Sequence, residues 1–189
     1  MLAVRYGLLY SEYCYHTFVK SEKKAGFQNM YDRGITMSDI KYINTTRDDI
    51  ERLIQVRLEM LREVNGLSDE YVYDENFVAE NRKYFEKGDQ STVLALDDEK
   101  VVGCASLSYI WIMPTFDHPT GTRAHLMNVY TTSGYRRRGI SKRMIEMLID
   151  EAKEKGVTEI SLDATEMGRP LYEALGFEKN SAGMLLELK

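Results

Sequence analysis

Leu126-Met127-Asn128-Val129-Tyr130-Thr131-Thr132-Ser133-Gly134-Tyr135-Arg136-Arg137-Arg138-Gly139-Ile140-Ser141 decides the fold. Its first half predicts a strand, from Ala124 to Thr131, and its second half turns at glycine into a helix. That helix shows a core face of Ile140, Met144, Met147, Leu148 and Ala152 and stops at Gly156. Arg136, Arg137, Arg138, Lys142 and Arg143 crowd the start of the helix. A helix N-terminus already carries about half a positive charge, so cations there are misplaced unless something negative sits among them. The N–H groups of the first turn also want an acceptor, and Gly139 lets a ligand approach the backbone. Strand, glycine turn and helix start together make an anion cradle suited to phosphate or pyrophosphate.

Familiar phosphate loops do not account for it. No glycine followed after four residues by Gly-Lys-Ser/Thr is present, and the three spaced glycines of a dinucleotide fold are missing. Nucleic acid suits an arginine cluster, but no aromatic residues interleave with this one and the chain is acidic overall, with 25 basic against 30 acidic residues.

Outward from the cradle, the elements alternate. Ile40 to Asn44 suits a first strand. Thr46 is placed to cap a helix striped by Ile50, Leu53, Ile54, Leu58 and Leu61, which Asn65-Gly66 ends. Phe77, Asn81, Tyr84 and Phe85 mark a second helix ending near Gly88. Thr92 to Leu96 and Val101 to Ile110 form a hairpin about Asp97-Asp98-Glu99-Lys100, and a connection from Trp111 to Arg123 leads to the decisive strand. Ile160, Leu162 and Ala164 alternate with polar residues as a further strand. A short helix with Pro170 at its start and Gly176 after its end follows, and Met184 to Leu188 is expected to close the sheet. The fold class is mixed α/β (α+β), with a largely antiparallel central sheet flanked by helices.

Residues 1–37 show no sustained period of 2 or 3.6 and read as a poorly structured extension, with Met30 or Met37 as alternative starts; the folded domain is expected over 38–189. A hydrophobic fraction of 43% and a charged fraction of 29% are ordinary for a globular chain. Two cysteines, Cys14 and Cys104, exclude a disulfide framework and point to a reducing, cytoplasmic setting. Cys104, among small apolar residues, is expected to be a buried thiol. No apolar run reaches the roughly 18 residues of a membrane span, and His118 and His125 lack the ligand spacing of a zinc site, so neither membrane nor metal is expected.

The loop Arg136-Arg137-Arg138-Gly139-Ile140-Ser141 resembles the pyrophosphate loop of the GNAT superfamily of acyl-CoA-dependent N-acyltransferases, which reads Arg or Gln, two residues, Gly, one residue, then Gly or Ala. Ser141 departs from that last position but keeps its backbone N–H. Leu126 to Thr131 resembles the family's core strand, and Pro170-Leu171-Tyr172-Glu173-Ala174-Leu175-Gly176-Phe177 resembles its closing signature. The resemblance covers about residues 38–189. It implies acetyl-CoA as cosubstrate, with the pyrophosphate at the loop from Arg136 through Arg137, Arg138, Gly139, Ile140 and Ser141 to Lys142. It also implies that the pantetheine arm lies along Val129, Tyr130 and Thr131, with the Val129 N–H donating to the thioester oxygen. His125 stands where related enzymes carry an acidic base, and an imidazole nitrogen can take up a proton. Asp117, His118 and a water route are rivals for that role. Tyr172 matches the tyrosine near the departing sulfur. The acceptor implied is a small-molecule or peptide amine, and a homodimer is compatible with this reading. A module that binds acyl-CoA without transferring it is the alternative.

Overall fold

The computed structural model describes residues 40–180, 184 and 186–188. The expected extension over 1–37 lies outside the described residues. Strand β1 (Ile40–Asn44) leads to a 3-10 turn at Arg47–Asp49 and helix α1 (Ile50–Val64). Thr46 caps that turn as expected. Its hydroxyl accepts from the Asp48 N–H at 3.3 Å, and the Asp49 carboxylate accepts from the Thr46 N–H at 2.9 Å, a reciprocal capping box. Helix α2 (Glu75–Lys87) begins where the Asp74 carboxylate accepts from the N–H groups of Asn76 and Phe77, at 3.0 and 3.1 Å. Asp74→Ala is expected to destabilise the fold by about 1 kcal/mol, while Asp74→Asn retains most of the cap. A urea titration of both variants checks this; equal midpoints for alanine and wild type would contradict it.

Strands β2 (Gln90–Asp97), β3 (Lys100–Trp111), β4 (Thr122–Thr131) and β5 (Glu159–Leu162) complete one sheet in the order β1-β2-β3-β4-β5. The first three pairings are antiparallel and only β4–β5 is parallel, as the crossover through helix α3 (Ile140–Glu154) requires. Helix α4 (Arg169–Ala174) follows β5. Helices α1 and α2 cover one face of the sheet, where Leu53, Ile54, Val56, Met60, Phe85, Leu94, Cys104 and Tyr130 form a buried cluster. Helix α3 covers the other face with Ile140, Met144, Ile145, Leu148 and Ala152 buried.

Three expectations change. Ile145 rather than Met147 is fully buried on α3, because the buried arc of the helix is wide enough to take Met144 and Ile145 together. Strand β5 stops at Leu162, so Ala164 lies in an exposed connection. Met184 and Leu186 to Leu188 do not form a strand, and Met184, Leu186 and Leu188 are exposed; alternation of apolar residues cannot by itself supply a pairing partner. Cys104 is a free, fully buried thiol, as expected, and burial pushes its pKa up to about 12. Among the described residues, no helix is long and apolar enough to cross a membrane.

Candidate active site

Parallel pairing joins β4 to β5 only from Arg123 to Leu126, opposite Glu159 to Leu162. Beyond Leu126 β5 ends while β4 continues to Thr131, so five residues of β4 have an open edge. The Thr132 N–H donates to the Val102 carbonyl of β3 at 3.0 Å. Successive N–H groups alternate along a strand, so those of Val129 and Thr131 point to the open edge. The register of β3 and β4 slips between Cys104 and Ser106, a bulge at which Asn128 takes a φ of 56°. Asparagine tolerates this left-handed backbone better than most residues. Buried Asn128 is held there by Arg57 of α1, whose Nη1 donates to its Oδ1 at 3.2 Å, while the Cys104 thiol donates to its carbonyl.

The loop after β4 builds the cradle. A 3-10 turn at Ser133–Tyr135 is followed by positive φ at Arg137 (63°) and Gly139 (79°). Among the described residues, none of the backbone N–H groups from Arg137 to Lys142 finds an acceptor outside the regular helix ladder, which starts with Arg143 N–H to Gly139 O at 3.0 Å. Arg138 stacks on the Tyr135 ring at 5.2 Å and its Nη2 donates to the Gly134 carbonyl at 2.9 Å. Its Nη1 is shielded from solvent and finds no hydrogen-bond partner among the described residues. Tyr135 is fixed in turn by donating to Asp97 at 2.5 Å. These donors fit a pyrophosphate.

The other cradle residues divide. Arg137 is exposed, and Lys142 reaches Glu146 at 3.7 Å on the helix surface. The Ser141 hydroxyl is engaged with that of Thr131 at 2.8 Å, tying the end of β4 to the start of α3, so the motif's departing residue has a structural contact of its own. Arg136 turns its side chain away from the loop's N–H groups: Nε donates to the Thr131 carbonyl at 2.8 Å and Nη2 meets Glu63 of α1.

On the α1–α2 face, His125 stands beside β5. Its Nδ1 is 2.9 Å from the Ser161 hydroxyl, and its Nε2 lies 3.8 Å from Asp163, too far for a hydrogen bond. Ser161 thus engages one ring nitrogen of His125 and leaves the other without a hydrogen bond among the described residues. Val129 lies four positions on from His125, roughly 13 Å along a strand, so a proton passing between these places needs water. Nearby, the Tyr84 hydroxyl meets Ser108 at 2.5 Å and both approach the Met127 sulfur. The rival His118 is engaged elsewhere, with Thr158 at 3.0 Å and Glu159 at 3.6 Å.

Tyr172 lies on α4 with its ring edge-to-face against Phe177, centroids 6.0 Å apart. A Cβ at Gly168 would stand 3.0 Å from the ring, so glycine makes room for it. The hydroxyl makes no hydrogen bond to any described residue, and burial raises its pKa above the ordinary phenol value, which keeps it a proton donor. Nothing in the local sequence pattern marks Asn128, Ser161 or Glu63 as site residues. The one hint was Asn128 itself, an αL-tolerant residue in the middle of an apolar strand.

The model of the Acetyltransferase (GNAT) family matches residues 58–177. A glucosamine 6-phosphate N-acetyltransferase of Trypanosoma brucei brucei is 34% identical over 89 residues, 47% of this chain and 58% of that protein. The chain therefore spans less than two thirds of that relative. Its Arabidopsis thaliana namesake is 25% identical over 113 residues, 60% of this chain and 76% of the plant protein. A predicted acetyltransferase from Clostridium acetobutylicum, solved with acetyl-CoA, superposes with a TM-score of 0.69 at 26% identity, covering 78% of this chain and 96% of that one. With its cradle, splayed strands and closing helix, this chain belongs to the GNAT acetyltransferase family.

Proposed function

We propose that the protein transfers an acetyl group from acetyl-CoA to the primary amine of a small molecule, by direct attack within a ternary complex. The observation that carries this reading is the run of N–H groups from Arg137 to Lys142 that find no acceptor among the described residues, beside the open edge of β4. The pyrophosphate is assigned to those N–H groups, and the pantetheine arm to Val129, Tyr130 and Thr131. Val129 donates its N–H to the thioester oxygen as negative charge grows there. His125 takes the proton of the attacking ammonium through water, with Ser161 fixing the imidazole. The amine nitrogen bonds to the carbonyl carbon, the carbon–sulfur bond breaks with its electron pair passing to sulfur, and Tyr172 donates a hydrogen bond to the departing thiolate, which takes up the second nitrogen proton as the amide forms.

Two relatives bear the name glucosamine 6-phosphate N-acetyltransferase, so phosphorylated amino sugars head the acceptors to try. The same proposal assigns the transferase to residues 38–189, sets it in the cytoplasm, is compatible with a homodimer, and gives no role to nucleic acid or membrane.

The test is a thermal-shift titration with acetyl-CoA, followed by thiol release with a panel of amines. A ligand at 100 times its Kd is expected to add about 2.7 kcal/mol of stability. Stabilisation with amine-dependent thiol release supports transfer. Stabilisation without release, across a wide panel, favours the acyl-CoA-binding module, and no stabilisation overturns the cofactor assignment. His125→Ala is expected to lower kcat about tenfold at neutral pH, below the usual 10²–10⁴ for a direct general base because relay water remains. An unchanged rate would remove His125 from the mechanism.

A further inference from the structure

We propose that Glu63 of α1 is a positioning residue for the cofactor loop, acting through Arg136 and Tyr130; this rests on the acetyl-CoA reading above. One Glu63 oxygen meets Arg136 Nη2, and the other accepts from the Tyr130 hydroxyl at 2.9 Å. Tyr130 also lies 3.0 Å from Glu59, one turn earlier on α1, and the Thr132 hydroxyl lies 3.4 Å from the same Glu59 oxygen. The Tyr130 ring is buried beneath the Arg136 guanidinium, at 6.0 Å. Burial first, and then the two carboxylates, push this phenol well above its ordinary pKa, which keeps it a donor.

Arg136 is thereby gripped from three directions. Its Nε bond to the Thr131 carbonyl closes the loop back onto the end of β4, and Glu63 holds the far end of the guanidinium against α1. The chain leaves Arg136 directly into the left-handed turns at Arg137 and Gly139. The direction of the free N–H groups is therefore set by where Arg136 is anchored. The first arginine of the motif serves as a strut for the cradle, and its charge is answered by Glu63. Both side chains are partly exposed, 35% and 42%, so the pair adds little to global stability, and its main effect falls on the loop.

Glu63→Gln keeps the volume and an acceptor for Tyr130 while removing the charge that holds Arg136. With wild type first shown to bind acetyl-CoA, the variant is expected to raise the Kd and KM for acetyl-CoA about tenfold, within the range of contact couplings, and to leave kcat at saturation nearly unchanged. Arg136→Gln is expected to do the same, and the double variant to be no worse than either single one. Equal acetyl-CoA Kd for wild type and Glu63→Gln, with or without a lowered thermal midpoint, would overturn the proposal. Independent, multiplying effects of the two substitutions would overturn it as well. Failure of wild type to bind acetyl-CoA would instead sink the cofactor reading.

Discussion

Tyr172→Phe is expected to lower kcat by about 10- to 100-fold while leaving acetyl-CoA binding and thermal stability close to wild type. The magnitude follows from the interaction that is lost. A phenol of pKa above 10 cannot favourably hand its proton to a thiolate of about 8.5; the difference exceeds 1.5 units, or about 2 kcal/mol uphill. Burial of Tyr172 widens that gap. What remains is a hydrogen bond to a growing negative charge, worth about 1.5–3 kcal/mol. Phenylalanine preserves the ring, its edge contact with Phe177 and the space made by Gly168, and removes only a hydroxyl with no partner among the described residues. The pH dependence has a definite sign. Because the pKa is raised, the hydroxyl stays protonated through the alkaline range, so the deficit should be constant from neutral pH to about 9.5 and close only above the ordinary phenol value. Thiol-release rates for both proteins across this range, with acetyl-CoA thermal shifts as the binding control, make the check. An unchanged kcat would return Tyr172 to a packing role.

Gly139→Val is expected to raise the Kd for acetyl-CoA at least about a hundredfold. Gly139 sits at a φ of 79° as the residue before α3, a conformation that strains a β-branched side chain by about 1–3 kcal/mol. The backbone is expected to relieve that strain by rotating, which redirects the N–H groups on either side. Each charge-assisted bond to a phosphate is worth about 1.5–3 kcal/mol, so losing two accounts for the factor of a hundred or more. The core of α3 starts one residue later at Ile140 and is untouched, so the protein without ligand should still unfold cooperatively with a modestly lowered midpoint. Isothermal titration with acetyl-CoA, beside circular dichroism of the unliganded variant, separates lost binding from lost folding. Wild-type affinity in a folded Gly139→Val protein would show that the cradle does not hold the cofactor.

Much of the architecture was legible from local pattern. Helices α1 and α3 declare themselves by apolar stripes and by Thr46 and Gly156 at their ends, and the hairpin of β2 and β3 by its acidic turn. The cradle was legible for a different reason: cations piled at the wrong end of a helix are unfavourable by themselves, so their position implies an anion. Two features were not legible. The bulge at Asn128 depends on how β3 and β4 register; the polar Asn128 interrupts the apolar run, but that alone does not set where the register slips. Strand β5 ends at Leu162 although Ala164 continues its alternation, because a strand lasts only as far as a neighbour pairs with it.

Arg136 separates the two kinds of information most clearly. Periodicity, caps and glycine placement within a few residues account for the mixed α/β class, the strand–loop–helix cradle and the place of Tyr172 on a short closing helix. That Arg136 turns to Glu63, that Ser141 joins Thr131, and that Ser161 meets His125 follow from long-range packing alone. Those partners are 73, 10 and 36 positions apart in the chain. A side chain's direction is set by whichever charge or hydroxyl the fold brings beside it, and no local pattern encodes that.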